Sequence, residues 1–252
     1  CGNHSSTTAT FTIEDTSNPV FSAEAVNLTV ECDGMGNTAA LNNWLTSKGG
    51  AVAMDACSGS VIWSNNFTAL SDLCGATGTA TVTFTATDDC GNYSTTTATF
   101  TIVDETAPAI TTQSANLTVE CDGMGNTAQL NAWLASQGGA VASDVCSGVV
   151  WTNNFTALSD LCGATGAATV TFTATDDCGN YSTTTATFTI VDETAPAIST
   201  QSANLTVECD GMGNTAQLNA WLASNGGAAA SDVCSGVVWT NNFTALSDLC
   251  GA

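Results

Sequence analysis

Residues 81–87 and 97–102 alternate threonine with apolar residues. This period of two is typical of strands with one buried and one exposed face. The intervening Asp-Asp-Cys-Gly-Asn segment predicts a turn that joins them into an antiparallel pair. Residues 27–31 and 61–63 predict further strands. We expect the alternating apolar residues to form the core: Val82, Phe84, Ala86, Ala98, Phe100 and Ile102.

A different spacing predicts one short amphipathic helix in residues 37–48. Asn37 is suited to be its N-cap, and Gly49 and Gly50 are suited to end it. The apolar residues recur at i, i+3 and i+4, on one face of the helix: Leu41, Trp44 and Leu45.

This pattern recurs along the chain with a period of 88 or 89 residues. The string Cys-Asp-Gly-Met-Gly-Asn-Thr-Ala begins at Cys32, Cys121 and Cys209. Residues 108–164 and 196–252 differ at only three of 57 positions. A period of this length is that of a domain and not that of a solenoid turn.

Six or seven short strands and one helix in about 88 residues predict a mainly β fold of tandem immunoglobulin-like β-sandwich repeats. The three prolines occupy equivalent positions and mark the joints between repeats. Residues 1–18 match the end of a repeat and the last repeat stops before its final strands, so we expect a longer array. The predicted domains are the C-terminal strand of a preceding repeat at 1–18 and repeats at 19–107, 108–195 and 196–252.

The charge balance excludes several classes of partner. One basic residue and 23 carboxylates give a formal net charge of −22. Nucleic acids and anionic membranes bind cationic surfaces, so neither is an expected partner. The sequence also contains no membrane-spanning stretch. The acids either stay solvated or gather around hard cations such as calcium.

Twelve cysteines lie at four equivalent positions per repeat. An even number per domain, in a chain whose only histidine is His4, indicates disulfides and an extracellular setting. Zinc is the alternative reading, but the chain contains no Cys-x-x-Cys pair.

Catalytic groups are scarce, and we expect no enzyme activity. His4 is replaced by Tyr93 and Tyr181 at the equivalent positions, so no histidine-based triad recurs. The carboxylate pair Asp88 and Asp89 lacks the long loops that would build a glycosidase cleft.

Trp63, Trp151 and Trp239 are each followed by a hydroxyl residue and two asparagines. An aromatic ring beside amide groups could bind a sugar, whereas tryptophans on a sandwich strand usually pack in the core. An array of glycan-binding modules is therefore the alternative function.

Acidic residues also gather at the joints. The segment Asp15-Thr-Ser-Asn-Pro is similar to the calcium-binding linker of cadherins, and the later joints keep Asp104-Glu105 and Asp192-Glu193 without the asparagine. A solvated acidic linker is the alternative interpretation.

Three motifs together resemble a known family. They are Asp-x-Cys-Ser, Val-Thr-Phe-Thr-Ala-Thr-Asp-Asp-Cys-Gly-Asn and Thr-Ile-Val-Asp-Glu-Thr-Ala-Pro. The pattern covers the whole chain and resembles the hyalin-like (HYR-type) immunoglobulin-fold repeats. It is most similar to the arrays in giant cell-surface adhesins of Bacteroidetes, including those of the gliding-motility type.

The resemblance implies secretion, display at the cell surface, and adhesion or filament building. We expect a disulfide-stapled structural stalk or filament region of an adhesin. Its expected partners are other repeats of the same long chain, surface glycans, or further copies that self-associate into a fibre.

In an immunoglobulin-like sandwich, Cys57 and Cys90 lie at one end of a repeat and Cys32 and Cys74 at the other. We therefore expect disulfides within repeats, which leaves Cys1 and Cys234 without partners. The predicted pairs are Cys57–Cys90, Cys32–Cys74, Cys146–Cys178, Cys121–Cys162 and Cys209–Cys250.

The same topology places each joint beside two turns of the following repeat. Calcium is the expected cofactor, and its binding would stiffen the joint. The expected ligands at the later joint are Asp104, Glu105, Asp144, Asp176 and Asp177, with the Asn180 amide. At the earlier joint they are Asp15, Asp55, Asp88 and Asp89, with Asn92.

Overall fold

The computed structural model describes residues 1–159 and 161–247, and the chain divides into two compact units. Unit 1 comprises Cys1–Ala109, Ala142–Val150 and Ala174–Ser182. Unit 2 comprises Ile110–Val141, Trp151–Thr173 and Thr183–Ala252. Each unit therefore consists of segments that are separated in sequence.

Unit 1 contains a four-stranded sheet and a two-stranded sheet. The larger sheet has the order β2 (Leu28–Glu31), β6 (Tyr93–Val103), β5 (Gly78–Thr87) and β4 (Ile62–Asn65). Strand β6 is antiparallel to β5 and parallel to β2. The smaller sheet pairs β1 (Val20–Ala23) with β3 (Val52–Met54).

No strand is present in residues 1–18, although the sequence predicts one there. A strand is defined by hydrogen bonds to a neighbouring strand. In the described part of the chain these residues pair with none, and the first strand begins at Val20.

The predicted core alternation in β5 and β6 is confirmed. All six of its inward-facing apolar residues are buried, and Trp44 of helix α1 (Thr38–Thr46) packs on them. The Trp44 ring lies 5.3 Å from that of Phe84 and 5.6 Å from that of Phe100, measured between centroids. Its Nε1 donates a hydrogen bond to the carbonyl oxygen of Val26 at 3.0 Å, which satisfies the buried indole.

The predicted N-cap position of Asn37 is confirmed, although the usual side-chain capping bond is not made. Asn37 stands at the N-cap position with φ 50° and ψ 33°, but its side chain makes no capping bond. Its Nδ2 donates to the Glu31 carbonyl at 2.8 Å and its Oδ1 accepts from the Asp33 N–H at 3.2 Å. Asparagine tolerates this left-handed backbone, and here its amide stabilises the loop that precedes the helix.

The second repeat has the same elements. They are β7 (Ala109–Thr112), β8 (Leu117–Glu120), α2 (Thr127–Ala135), β9 (Val141–Ser143), β10 (Val149–Asn153), β11 (Gly166–Asp176) and β12 (Tyr181–Val191). Its larger sheet has the order β10-β11-β12-β8, and β7 pairs with β9. The third repeat contributes β13 (Ala197–Thr200), α3 (Thr215–Ala223) and β14 (Ala229–Ser231).

The fold is therefore mainly β, as predicted, with tandem immunoglobulin-like β-sandwich repeats and one short helix in each. None of the helices in the described residues has the length and apolar character that crossing a membrane requires.

Candidate functional site

The disulfides join consecutive repeats instead of closing single repeats. Their sequence separations of 104 to 114 residues exceed the length of one repeat. Two of them lie in unit 1 and one in unit 2: Cys32–Cys146, Cys74–Cys178 and Cys121–Cys234.

This pairing overturns the prediction of bonds within repeats. Cys234, expected to lack a partner, is bonded, and the thiols of Cys57, Cys90 and Cys162 are exposed and unpaired in the described structure. The predicted pairs Cys32–Cys74, Cys57–Cys90, Cys121–Cys162 and Cys146–Cys178 do not form. The predicted pair Cys209–Cys250 lies outside the described residues, because Cys250 is not among them.

The disulfides form between repeats because the turns that carry Cys146 and Cys178 lie beside the preceding repeat. The Cα atoms of Cys32 and Cys146 lie 6.0 Å apart, and those of Cys74 and Cys178 lie 5.1 Å apart. Both separations are those that a disulfide requires.

Aspartates hold the two cysteine-bearing turns in shape. The Asp144 carboxylate accepts hydrogen bonds from the N–H groups of Cys146 at 2.8 Å and Ser147 at 3.1 Å. In the other turn, Asp176 accepts from the N–H of Cys178 at 2.9 Å and that of Asn180 at 2.8 Å. In such Asx turns the aspartate side chain fixes the local direction of the backbone.

Two loops of the preceding repeat, which contain Gly34 and Ala76, approach the turn that carries Cys146 very closely. Gly34 has φ 72°, and a Cβ there would lie 2.6 Å from the Val145 carbonyl oxygen. The Ala76 N–H donates to the carbonyl oxygen of Cys146 at 2.8 Å. Glycine is therefore required at position 34 both for its backbone conformation and for the space it leaves.

Asp104 carries an unsatisfied buried carboxylate oxygen at this joint. Its side chain is 8 % exposed, and Oδ2 has no hydrogen-bond partner. Burial raises the pKa of Asp104, and the negative charges of Asp144, Asp176 and Glu31 raise it further, against a lowering contribution from the Thr106 N–H. A buried, unpaired carboxylate is costly unless it is protonated or bound to a cation.

The arrangement recurs at three joints. Asp15, Asp104 and Asp192 each have one buried carboxylate oxygen without a partner. Each lies beside a second aspartate and a cysteine, with one ligand atom of every member within 4.8 Å of the others. The groups are Asp15 with Asp55 and Cys57, Asp104 with Asp144 and Cys146, and Asp192 with Asp232 and Cys234.

The sulfur members of these groups differ. Cys146 and Cys234 are in disulfides and offer no thiolate, whereas Cys57 is a thiol. The ligands common to all three joints are therefore carboxylate oxygens, which suit a hard cation such as calcium.

The other predicted ligands have different surroundings. The Asp88 carboxylate accepts from the N–H groups of Cys90 and Asn92 and from Asn92 Nδ2. Burial raises the pKa of Asp88, but the hydrogen bonds from Asn92, Cys90 and Gly91 outweigh it and leave the pKa lowered. In the described structure, the three groups whose ligand atoms are close enough to share one cation do not include Asp88. They also do not include the remaining predicted ligands, which are Glu105, Asp89, Asp176 and Asp177.

Asn180 presents its amide nitrogen to the joint. Its Nδ2 donates to the Asp104 carbonyl oxygen at 2.9 Å, and Asn92 makes the equivalent bond to Asp15 at 3.1 Å. These two hydrogen bonds hold the linker backbone against the following repeat.

Sequence reasoning missed Glu31. Its carboxylate accepts from Thr106 Oγ1 at 2.7 Å and from the Glu105 N–H at 3.0 Å, so that it anchors the linker. These bonds, the Thr106 hydroxyl first, lower the pKa of Glu31. Glu120 binds Glu193 and Thr194 in the same way. The available signal was the glutamate that precedes the first cysteine of every repeat.

The tryptophans of the glycan alternative lie at the edge of the cores. Trp63 is half-buried beside Phe21, with ring centroids 6.0 Å apart. Trp151 is half-buried against the second core, and Trp239 is 37 % exposed. The amide oxygens of Asn65 and Asn66 accept backbone N–H groups at 3.1 and 2.8 Å and are not presented to solvent as a pair.

No family model and no curated protein matches the chain. Among solved structures, it is similar to the extracellular cadherin domains 1–5 of protocadherin gamma B2, with 13% identity and a TM-score of 0.28. That match covers 76% of this chain and 43% of the other.

Two further solved structures are similar at the same level. Drosophila N-cadherin EC1–4 has 11% identity and a TM-score of 0.24, with 56% of this chain and 44% of that chain covered. A chimeric titin Z1Z2 tandem has 14% identity and a TM-score of 0.22, with 69% and 99% covered. The chain spans less than half the length of these two cadherin structures.

Proposed function

We propose that this chain is part of an extracellular adhesin stalk whose joints are covalently locked. Its repeats are those at 19–107, 108–195 and 196–252. The observation that carries the proposal is the pairing of Cys32 with Cys146 and of Cys74 with Cys178, since each bond ties one repeat to the next. Disulfides of this kind restrict bending at a joint and persist in an oxidising environment outside the cell.

A cation at the joint acids completes the proposed stalk. Asp104 and Asp144 supply two carboxylates at one site, and Asp104 Oδ2 has no other partner. Calcium prefers six to eight oxygen ligands, so water and carbonyl oxygens would complete its coordination. Calcium would neutralise these acids and stiffen the linker that Asn180 and Glu31 hold.

The resemblance to HYR-type repeats supports the finer proposal of a cell-surface adhesin of the Bacteroidetes gliding-motility type. In that setting the repeats would project a binding end from the cell or build a filament. Trp63 and Trp151 are half-buried against their cores, so we propose no second function.

Single-molecule pulling on the two chain ends tests the locked joints. With the disulfides intact, only residues 1–32, 121–146 and 234–252 can extend between the attachment points. These are about 75 residues, or roughly 250 Å of contour length, whereas the fully reduced chain extends to roughly 850 Å.

The expected result is a threefold increase in final contour length when a reducing agent is added. The matched control is a chain whose six bonded cysteines are replaced by serine, which should extend fully with or without reductant. A wild-type chain that extends fully under oxidising conditions would rule out the locked joint.

A further inference from the structure

The group that Asp104 forms with Asp144 contains a sulfur atom that belongs to a disulfide. Cys146 is its third member, and one ligand atom of each residue lies within 4.8 Å of the others. Cys146 is 7 % exposed and Asp104 is 8 % exposed, so water has little access to either side chain. While Cys146 is bonded to Cys32, the group offers only oxygen ligands. Its preference for a hard cation therefore holds only for the oxidised joint.

Reduction of the Cys32–Cys146 bond changes the ligands that this group offers. Two molecules of a thiol such as glutathione supply two electrons and two protons to the bond and leave as one glutathione disulfide. The joint then holds two cysteine sulfurs beside the carboxylates of Asp104 and Asp144. Two thiolates and two carboxylates make four ligands, which is the number that zinc takes in a tetrahedral structural site.

The backbone around Cys32 suits a metal-bound thiolate. The Gly34 N–H donates a hydrogen bond to the Cys32 sulfur at 3.4 Å, and Gly123 makes the equivalent bond to Cys121 at 3.3 Å. A hydrogen bond to the charged form of a group favours that form. Since zinc binds cysteine as the thiolate, these N–H groups would stabilise the bound state.

The buried carboxylate of Asp104 is independent evidence for a cation at this joint. One of its oxygens is buried and accepts no hydrogen bond. Thiolates formed beside it would add further negative charge, and buried charges of one sign are costly without a counter-charge. The chain has only one lysine or arginine, Lys48, and its amine lies over the Trp63 ring. A metal ion is therefore the counter-charge that suits the reduced joint.

We infer that the reduced joint is a zinc site formed by the thiolates of Cys32 and Cys146 and the carboxylates of Asp104 and Asp144. Zinc would hold the two repeats together before the disulfide forms, and oxidation of the thiolates would release it. Binding displaces the two thiol protons to solvent. The inference rests on the proposed locked joint, because it uses the same pair of cysteines.

A second set of the same groups is present at Asp192. Cys234 lies with Asp192 and Asp232, with ligand atoms within 4.8 Å of one another, and is bonded to Cys121. We therefore expect a second zinc ion there. The ligands of each site come from two repeats, so they form no short sequence motif of the kind that usually reveals a zinc site.

The test uses cobalt(II) as a spectroscopic substitute for zinc. The purified 252-residue chain is reduced with dithiothreitol, freed of reductant under argon and titrated with cobalt. We expect two ions per chain that zinc displaces, with a thiolate-to-cobalt charge-transfer band and the strong visible bands of tetrahedral cobalt. Cys146→Ser should remove about half of the charge-transfer absorbance. The matched control Cys178→Ser should leave it unchanged, because that sulfur lies in none of the three groups of the described structure.

A carboxylate variant tests the oxygen ligands separately from the sulfurs. Asp104→Asn should weaken cobalt binding at its joint at least tenfold, whereas Asp177→Asn, which changes an exposed acid outside the group, should not. Asp104→Asn removes an unpaired buried carboxylate, so the loss of binding should occur in a folded chain. Glutathione disulfide added to the zinc-loaded chain should release both ions, as measured with a zinc-binding dye.

Three results would overturn the inference. They are a reduced chain without the thiolate-to-cobalt band, a Cys146→Ser variant that keeps the full band, and ions that stay bound after oxidation. The pulling experiment is performed on the oxidised chain, so none of these results changes its outcome. A chain that passes the pulling test and fails the cobalt test keeps its locked joints and loses only the zinc site.

Discussion

The sulfur atoms of Cys32 and Cys146 are bonded across 114 residues and lie in the same core as Trp44 and Phe84. A turn of the second repeat therefore completes the hydrophobic core of the first. Closing a loop of this length removes about 4–5 kcal/mol of chain entropy from the unfolded state, on the usual entropic model. The bond thus acts both as a cross-link between repeats and as part of a domain core.

We predict that Cys146→Ser and Cys57→Ser have very different effects on unit 1. The two residues are equivalent in sequence, but only Cys146 is bonded and buried. Cys146→Ser should lower the free energy of unfolding by about 3–5 kcal/mol, and Cys57→Ser by less than about 0.5 kcal/mol. Urea denaturation under oxidising conditions measures both. Similar losses from the two variants would mean that the cross-link between repeats is not formed.

Local sequence patterns were sufficient to predict the strands and their buried faces, but they were not sufficient to predict the disulfide pairing. The alternation in β5 and β6 fixes which residues are buried, because a strand has only two faces. Cysteine spacing fixes only which end of a repeat each sulfur occupies. The sandwich topology predicts Cys32 and Cys74 at one end of a repeat and Cys57 and Cys90 at the other. The disulfides join opposite ends of consecutive repeats.

The candidate cation site was predictable in part for a similar reason. The linker and the turn aspartates were expected to meet, and Asp104 and Asp144 do lie within reach of one ion. The sequence could not reveal that Asp88 is engaged by its own turn, because that depends on three hydrogen bonds to one carboxylate. Nor could it reveal that Glu31 anchors the linker across 74 residues.

The close approach of Gly34 to Val145 gives a second prediction. Gly34 and Gly211 share a φ near 72°, so alanine strains the backbone equally at both positions. Only Gly34→Ala also places a methyl group against a carbonyl oxygen. We expect Gly34→Ala to cost about 2–3 kcal/mol and Gly211→Ala about 1 kcal/mol, with the difference measured by denaturation.

The rate of oxidative refolding gives a second test of these two glycine variants. Gly34→Ala should also slow formation of the Cys32–Cys146 bond, as measured by quenched peptide mapping, whereas Gly211→Ala should leave that rate unchanged. Equal rates in the two variants would mean that the loop does not approach the turn as closely as the structure has it.

Calcium binding gives a third prediction. At a hundred times its Kd, calcium should stabilise the folded chain at pH 7 by about 2.7 kcal/mol for each joint that it occupies. Asp104→Asn should abolish most of this gain at its joint, because it removes the buried oxygen without a partner. Asp177→Asn removes an exposed carboxylate outside the group and serves as the matched control.

Hydrogen exchange of residues 142–150 localises the calcium effect to this joint, since the other two acid groups remain intact in the variant. Slower exchange on addition of calcium is expected in the wild type and in Asp177→Asn, and not in Asp104→Asn. If calcium protects none of the three proteins, the joint acids are only a solvated linker.

The pH dependence of the joint, without calcium, gives a fourth prediction with a definite sign. The folded-state pKa of Asp104 is raised above its ordinary value of 3.8, first by burial and then by neighbouring charges. Its contribution to stability is therefore present below that ordinary value and is lost as the pH rises through the folded-state pKa. Asp104→Asn should match the wild type near pH 3 and be more stable than it near pH 7.

Asp88→Asn should show the opposite dependence. The pKa of Asp88 is lowered, because its hydrogen bonds outweigh the burial that opposes them, so its contribution is present above the ordinary value and is lost as the pH falls. The variant should be destabilised near pH 7, and the difference from the wild type should shrink toward pH 3. Denaturation midpoints of both variants across this range, in a chelator, measure the two slopes. Slopes of the same sign would contradict the assignment of Asp104 as an unpaired acid and Asp88 as a satisfied one.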